Sequence, residues 1–265
     1  MKKYLLFFTL GLQDAMQYRL EGAIWFLFDV LPPLMMVFVW QAAYRDTAEV
    51  GGYSLGAMLG YYLGLALLRN AITTHPEWET AEAIRTGRLS MWLLKPYQFW
   101  AERLATDSAW RVIRLAMVTP ILLISVVLLS GQVAGPRLTA DSALALVACL
   151  PLAFALCFLL KLSLGFAGFW LIDIGGLGSL YEVVVYLLGG SIVPLDLLPS
   201  WLRLLADLLP FKYIYYFPLA VALGRIDGPD LWSGLAIQAA WTAALAALAR
   251  LLWTQGLRRY EAVGA

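Results

Sequence analysis

Long apolar runs separated by short polar stretches dominate the pattern of this chain. A helix needs about 20 consecutive apolar residues to cross a bilayer. The run from Ser142 to Pro194 is long enough for two crossings, and the glycine cluster at 175–178 marks the reversal between them. The predicted crossings are residues 23–44, 53–72, 97–129, 142–171, 177–194 and 231–253. The pattern predicts an all-α polytopic membrane protein with six transmembrane helices, in one domain over 1–265.

Two further segments are apolar but unsuited to crossing a bilayer. Residues 1–22 start with a short apolar run that is followed by polar side chains and no cleavage site, which favours an interfacial helix over a cleaved signal peptide. Residues 194–230 are aromatic, but prolines cut them into pieces too short to cross. We expect this second segment to be an extracytoplasmic re-entrant region, which dips into the outer leaflet and returns.

The longest polar stretch, residues 73–104, separates the second and third predicted crossings. The Thr74–Glu77 sequence has the spacing of a capping box, and Pro76 suits the first turn of a helix. Gly87 is expected to end this helix near Thr86. Such a helix is either an ordinary loop helix on the membrane surface or a docking helix for a cytosolic partner. We favour the docking helix, because a flexible connector needs no such construction.

Composition and charge agree with a membrane protein and indicate its orientation. Of the 265 residues, 62% are hydrophobic and 14% are charged, against about 25% charged in soluble domains, which excludes an ordinary soluble enzyme. The 19 basic and 18 acidic residues nearly cancel, so the expected partner is the lipid bilayer and not nucleic acid. With the N-terminus inside, 14 basic residues fall on the cytoplasmic side and 5 outside, which predicts that both termini are cytoplasmic.

Few residues in the sequence suit catalysis or metal binding. The sequence has no Gly-Lys pair for a phosphate-binding loop, no Cys-x-x-Cys or His-Glu-x-x-His pattern for zinc, and a single histidine. We therefore expect no catalytic, cofactor-binding or metal-binding residue. Charges inside the predicted crossings are the remaining candidates for function. Lys161 either reaches the inner surface or pairs with Glu182, and the roles of both stay open.

Three segments, taken in their order along the chain, resemble those of one transporter family. The first is similar to a coupling region, the second to a fifth-span exit with re-entrant outer helices, and the third to the family's C-terminal ending. They are Glu82–Pro96 with Phe99–Trp100, Gly190–Tyr213 and Arg258–Gly264. The whole chain thus resembles the ABC-2-type permeases, which are the transmembrane subunits of type V ABC exporters.

The resemblance implies a permease subunit that pairs with a second permease, identical or related, to form a path for ATP-driven export. Two cytosolic ABC ATPase subunits would dock on the cytoplasmic face and bind the ATP and Mg²⁺, so the chain itself would be no enzyme. The cargo would be a hydrophobic or amphipathic drug, lipid, peptide or glycan, and the location the inner membrane of a bacterium. The predicted ATPase-coupling residues are Glu79, Glu82, Arg85 and Arg88.

The translocation path is predicted along the first, second and fifth crossings. The resemblance suggests the first and fifth, and the glycines at 56, 60 and 64 add a small-residue face on the second. In the fifth crossing the chosen positions recur every three or four residues and would share one helix face, although subunit packing would give the same pattern. The predicted path residues are Asp29, Tyr181, Val185, Leu188 and Ile192.

Two other classes of membrane protein fit less well. Importer permeases carry a Glu-Ala-Ala motif with glycine six residues after the glutamate, whereas Gly87 follows Glu82 by five and Ile84 takes the third position. A self-contained secondary transporter or channel would carry several intramembrane charges or two repeated halves, and no internal repeat is visible in the sequence. The substrate, and the choice between homodimer and heterodimer, stay open.

Overall fold

The computed structural model describes residues 2–96, 98–129 and 131–260, and most of the chain is helical. The helices are α1 (Lys2–Gln17), α2 (Arg19–Ala43), α3 (Leu55–Ile72), α4 (Pro76–Arg85), α5 (Leu89–Leu93), α6 (Phe99–Leu128), α7 (Ala140–Phe166), α8 (Gly175–Leu188), α9 (Ser200–Leu208), α10 (Tyr216–Ala222) and α11 (Gly228–Leu257). Short 3₁₀ turns occupy Ala167–Phe169, Leu195–Leu197 and Pro210–Tyr213. Strands β1 (Glu49–Val50) and β2 (Tyr53–Ser54) form an antiparallel hairpin.

Within the described residues, five helical stretches are long and apolar enough to cross a membrane. They are Gly22–Ala43, Leu55–Arg85, Phe99–Leu128, Ala140–Phe169 and Gly228–Leu257. The prediction of an all-α polytopic membrane protein is therefore confirmed. The predicted span over 177–194 is not one long helix, because α8 has 14 residues, about 21 Å at 1.5 Å per residue, against a hydrocarbon core of about 30 Å.

The β-hairpin defines one end of the helical bundle, which we call the hairpin end. The backbone N–H of Arg137 donates to the carbonyl of Ala222 (3.0 Å), which joins the α6–α7 connection to the end of α10. Arg225 donates from Nη1 to the carbonyl of Gly52 (3.1 Å), which joins the α10–α11 connection to the hairpin. Three connections between helices therefore meet at this end.

The opposite end, which we call the α4 end, carries α4, α5 and the last described residues. A Cβ at Gly165 would lie 2.8 Å from the Cβ of Thr80, so this glycine lets α4 pack closely on α7. The hydroxyl of Tyr260 donates to the carbonyl of Gly87 (2.8 Å) and accepts a hydrogen bond from the N–H of Ser90 (3.1 Å). The chain after α11 is thereby fixed to the α4–α5 turn.

The chain from Gly175 to Asp196 runs from the α4 end to the hairpin end. Near its start, Gly178 lies against the side chain of Trp78 on α4, where a Cβ would come within 3.0 Å of the indole ring. At its finish, Oδ2 of Asp196 accepts a hydrogen bond of 2.7 Å from the hydroxyl of Tyr53 on β2. One short helix and one non-helical piece together cover the distance that a single long helix covers elsewhere.

The non-helical piece, residues 189–195, keeps its buried backbone hydrogen-bonded. Helix α8 stops before it because Gly190 has φ +79°, in the left-handed region that glycine adopts without strain. The carbonyls of Gly190 and Ile192 then accept hydrogen bonds from the hydroxyls of Tyr61 (2.6 Å) and Tyr62 (2.7 Å) on α3. Unpaired carbonyls are costly away from water, so the two tyrosines make this break in the helix tolerable.

The segment predicted to be re-entrant, residues 194–230, begins and ends at the hairpin end. Its middle lies deep in the bundle, since the carbonyl of Tyr213 accepts a hydrogen bond of 3.0 Å from Nε2 of Gln238, about ten residues into α11. The hydroxyl of Tyr215 lies 2.7 Å from Oγ1 of Thr73, which follows α3 at the α4 end. The segment therefore folds into the bundle and back, and its placement in a lipid leaflet stays a prediction.

The N-terminal helix is shorter than the predicted interfacial helix over 1–22, because α1 ends at Gln17 and α2 begins at Arg19. Helix α1 packs on α6, where a Cβ at Gly11 would lie 3.0 Å from the Cβ of Ala109. Its position at a membrane interface stays a prediction. Met1, Tyr97 at the start of the predicted third crossing, and residues 261–264 of the C-terminal motif lie outside the described residues.

The capping box expected at Thr74–Glu77 does not form. His75 precedes α4 and its side chain makes no cap, and Oγ1 of Thr74 has no hydrogen-bond partner among the described residues. The carboxylate of Glu77 pairs with Lys161 instead, because a buried ammonium group is tolerated only with a partner of opposite charge. The proline in the first turn of the helix and the glycine after its last turn are placed as predicted.

Candidate coupling surface and the buried charges behind it

Helix α4 presents a mostly polar face to the outside and packs its other face, which includes the carboxylate of Glu77, into the bundle. Ala83 and Ile84 are buried, whereas Trp78, Glu79 and Arg85 are exposed. The helix has acidic residues in its first turn and a basic residue in its last, which suits the helix dipole. A helix held on one side and polar on the other is suited to contact another protein.

The four predicted coupling residues all lie at this surface. Arg85 and Glu82 form an exposed ion pair, with 2.5 Å between Nη2 and Oε2. Glu79 forms an ion pair with Arg103 of α6, and Arg88 is exposed just after the helix. The structure thus brings the four together on α4 and the turn that follows, and their contact with an ATPase stays a prediction.

Behind the exposed face, α4 is held by a buried ammonium group. Lys161 of α7 is only 1% exposed, and its Nζ lies 2.8 Å from Oε1 of Glu182 on α8 and 3.2 Å from Oε1 of Glu77 on α4. Nδ1 of His75 is 3.0 Å from the same Nζ. Of the two options for this lysine, pairing is the one found, and the amine does not reach the surface. One cation therefore joins three helices, because a buried charge is tolerated only when paired.

A second group of charges lies between α2, α3 and α6. Nη2 of Arg69 is 2.9 Å from Oδ1 of Asp29, and its guanidinium lies 4.4 Å from the ring centre of Tyr186 on α8. Arg114 donates from Nη2 to the carbonyl of Thr73 (2.7 Å), and its Nη1 is 3.9 Å from Oδ2 of Asp29. Asp29, predicted to line the path, is therefore paired inside the subunit.

Sequence reasoning assigned no site role to Arg69 or Arg114, which counted only as basic residues on the cytoplasmic side. A usable signal exists in the sequence, since both arginines adjoin apolar runs, where a charge needs a partner. Asp29 is the acidic residue in the neighbouring run and is the partner that both arginines find.

Three predicted path residues, Tyr181, Val185 and Leu188, are buried on the face of α8 that is turned into the subunit. The ring of Tyr181 packs edge-on against Phe211. Ile192 is exposed and does not share this face, because the helix ends four residues before it. The expectation of one face for all four residues is wrong for Ile192, and a lining role for any of them stays a prediction.

The glycine face of α3 packs within the subunit. A Cβ at Gly60 would lie 2.4 Å from the carbonyl oxygen of Ala134, and one at Gly64 would lie 2.6 Å from Cδ1 of Leu219 on α10. A Cβ at Gly56 would meet the carbonyl of Gln132 at 2.6 Å. These glycines let the α6–α7 connection and α10 approach α3 closely.

Long apolar helices with charges buried between them, and a polar surface helix at one end, are typical of membrane transport proteins. A family model described as ABC-2 family transporter protein matches residues 30–264. The match covers most of the chain, so the chain belongs to the ABC-2 transporter family, and the resemblance seen in the sequence is confirmed. No curated protein and no solved structure gives a significant match to it.

Proposed function

We propose that this chain is the transmembrane subunit of an ATP-driven exporter and that a separate ATPase subunit acts on α4. The observation that carries the proposal is that α4 is polar outside and tied inside to α7 and α8 through Lys161. Two ATPase subunits would serve a pair of permeases, identical or related. They would bind ATP and Mg²⁺, to which we assign no residue of this chain.

We propose that the α4 end faces the cytosol, in the inner membrane of a bacterium. The 14 basic residues assigned to this side, against 5 on the other, support this orientation. Helices α2, α3, α6, α7 and α11 would make five crossings, and α8 with residues 189–195 would make the sixth. Both termini are then cytoplasmic, α1 lies at the inner interface, and residues 194–230 enter the outer leaflet and return.

A displacement of α4 would reach the crossing helices through the shared ammonium group. Glu77 on α4 and Glu182 on α8 contact the same Nζ of Lys161. The attraction between charges rises steeply as the local dielectric falls, so a change in position at this buried site changes the energy of all three helices. Closure of the ATPase subunits would thereby shift α8 relative to α7.

The path would lie between the two permeases, along the exposed faces of α2 and α8. Large apolar side chains cover these faces, among them Phe28, Met35, Leu180 and Val183. An amphipathic or hydrophobic cargo suits such walls. Of the predicted path residues, Ile192 is exposed on this molecule, whereas those turned into the subunit would reach the path only after α8 rotates.

The test is co-purification of an ATPase with a tagged permease from its own membranes. The double variant Arg85→Glu, Arg88→Glu should lower the retained ATPase activity by roughly tenfold or more, because charge reversal turns attraction into repulsion across an interface. The matched reversals Arg45→Glu and Arg137→Glu change exposed arginines at the hairpin end and should leave it unchanged. Full retention by the α4 variant would remove the docking role.

A self-contained, ion-coupled transporter is the second candidate, and one observation favours it. Around the buried ammonium group of Lys161 lie three more titratable side chains, as in proton relays: Glu77, which is buried, and Glu182 and His75, which are partly exposed. In that case the purified chain in liposomes would move cargo with a proton gradient and without ATP. Transport that requires the ATPase and ATP, and that ignores the gradient, would decide for the exporter.

A further inference from the structure

A groove of about 880 Å³ opens at the hairpin end, between the 194–230 segment and α11. One wall carries Asp196 with Arg203 of α9 and Arg225, and the other wall carries Asp230 and Ser233 of α11. The groove is on the opposite side of the molecule from the coupling surface. Nothing proposed for ATPase docking uses it.

The first wall holds more positive than negative charge. Oδ1 of Asp196 accepts hydrogen bonds of 2.7 Å from Nη2 of Arg203 and from the hydroxyl of Tyr216. Its Oδ2 accepts one of 2.7 Å from the hydroxyl of Tyr53, and Nε of Arg225 lies 3.7 Å away. One carboxylate thus balances two guanidinium groups, and one positive charge is left over.

The opposite wall holds the complementary charge. Among the residues that the structure describes, the carboxylate of Asp230 makes no ion pair, and it is exposed in the first turn of α11. The remaining charges in the groove neutralise each other, because Nζ of Lys212 lies 2.6 Å from Oδ1 of Asp207. The mouth of the groove therefore offers one free positive charge and one free negative charge on facing walls.

Below this mouth the groove becomes apolar. Ile237 follows Asp230 by seven residues, about 10 Å further along α11 at 1.5 Å per residue. Phe217 of α10 forms the floor, and it can close against α11 because a Cβ at Gly234 would lie 2.3 Å from Cε2 of its ring. A charged entrance above an apolar base matches a molecule with a polar head and a hydrocarbon tail.

We propose that this groove binds an amphiphile with a zwitterionic phosphate–ammonium headgroup, such as a phospholipid of the outer leaflet. The phosphate contacts Arg203 and Arg225, the ammonium contacts Asp230, and the start of an acyl chain lies along Ile237 and Phe217. The molecule is either a resident lipid or cargo on its way out, since both present the same chemistry. The proposal uses the orientation of the chain in the membrane and not the docking of an ATPase.

The experiment uses the purified permease, with any ATPase that co-purifies, in vesicles of phosphatidylethanolamine and phosphatidylglycerol. One phosphatidylethanolamine carries a photoreactive group near the head of its acyl chain. Cross-linked peptides are identified by mass spectrometry. Arg203→Gln and Asp230→Asn should each lower labelling of α9 and α11 by roughly tenfold, the loss of one charge-assisted contact. Ser233→Trp, which fills the groove and removes no charge, should lower it as well.

The matched controls, Arg137→Gln and Asp227→Asn, change exposed charges at the same end and outside the groove, and should label as the wild type does. Labelling that is equal with and without ATP identifies a resident lipid, and labelling that changes during ATP turnover identifies cargo. Labelling that the groove variants leave unchanged would overturn the proposal. A lack of labelling at α9 and α11 in the wild type would also overturn it.

Discussion

The two ends of the bundle arrange their charges in opposite ways. At the α4 end a single ammonium group, that of Lys161, collects the carboxylates of Glu77 and Glu182. At the hairpin end a single carboxylate, that of Asp196, collects the guanidinium groups of Arg203 and Arg225. Both centres hold together elements that are far apart in the chain.

The two centres differ in their access to solvent. Lys161 is enclosed, whereas the side chain of Asp196 is 23% exposed and also accepts hydrogen bonds from two tyrosine hydroxyls. A charge that water cannot reach depends on its protein partners for all of its stabilisation. The α4 end should therefore be sensitive to the loss of its central charge, and the hairpin end should retain more of its stability.

The largest effect is expected for Lys161→Met. This change leaves the buried Glu77 without the ammonium group that it pairs with and should lower the free energy of unfolding by about 3–5 kcal/mol. Lys212→Met breaks an ion pair to Asp207, whose side chain is 52% exposed, and should cost about 1 kcal/mol or less. Denaturation of the purified variants in detergent measures both. Equal losses would contradict the contrast between the two ends, and adding Glu77→Gln to Lys161→Met should recover part of the loss.

Asp196→Asn should lower the free energy of unfolding by a smaller amount, about 1.5–3 kcal/mol, because the hydrogen bonds of a charged acceptor are replaced by weaker ones. Burial acts to raise the pKa of Asp196, but hydrogen bonds from Tyr216, Tyr53 and Arg203 outweigh it and hold this pKa below the usual range. A carboxyl whose pKa is lower in the folded state stabilises the protein above its unfolded pKa of about 3.9.

That stabilisation is lost as the pH falls through the folded-state pKa of Asp196. The wild type should therefore lose stability on acidification below about pH 4, and Asp196→Asn should lose less over the same range. Asp207→Asn, at an exposed pair of the same end, is the control and should follow the wild type. If the free energy of unfolding of the wild type and of Asp196→Asn changed with pH in the same way, the carboxylate of Asp196 would not be what stabilises the hairpin end.

An intermediate loss of stability is expected for a change in the non-helical residues 189–195, which connect the two ends. Gly190→Ala places a side chain at φ +79° with its Cβ 2.6 Å from the hydroxyl of Tyr61, and should cost at least about 1–2 kcal/mol. Gly176→Ala lies in the first turn of α8 with open space around its Cβ, and should be neutral or slightly stabilising. Thermal unfolding in detergent compares the two. A harmless Gly190→Ala would mean that α8 continues as a helix beyond Leu188.

The smallest effect on stability is expected for Arg85→Gln on the exposed face of α4. Its pair with Glu82 is open to solvent, so the loss should stay within about 0.5 kcal/mol. The amount of ATPase retained by the permease should nevertheless fall. This result would distinguish the exposed face of α4, which binds a partner, from the buried charge behind it, which stabilises the fold. A stability loss as large as that of Lys161→Met would show that Arg85 supports the fold instead of a partner.

The local pattern of apolar and polar residues was sufficient to predict much of the fold. A helix forms its backbone hydrogen bonds within its own segment, so an apolar run of sufficient length specifies a crossing without knowledge of any partner. The observed bounds of α3 and α6 accordingly lie within two residues of the predicted ones. One continuous helix over 177–194 is not found, because α8 stops at Leu188, before an apolar stretch that could have continued it, and the crossing itself stays a prediction.

The sequence by itself determined the class of protein, the long helices, the short helix α4 with its polar face and the family. Tertiary structure alone decided which charges meet and where a helix can break. Lys161 and Glu77 are 84 residues apart, and Tyr61 is 129 residues from the carbonyl that it satisfies. Periodicity records which face of a helix avoids water, but a buried charge or an open carbonyl is stabilised by a particular atom at hydrogen-bond distance. That atom is supplied only when distant segments pack together.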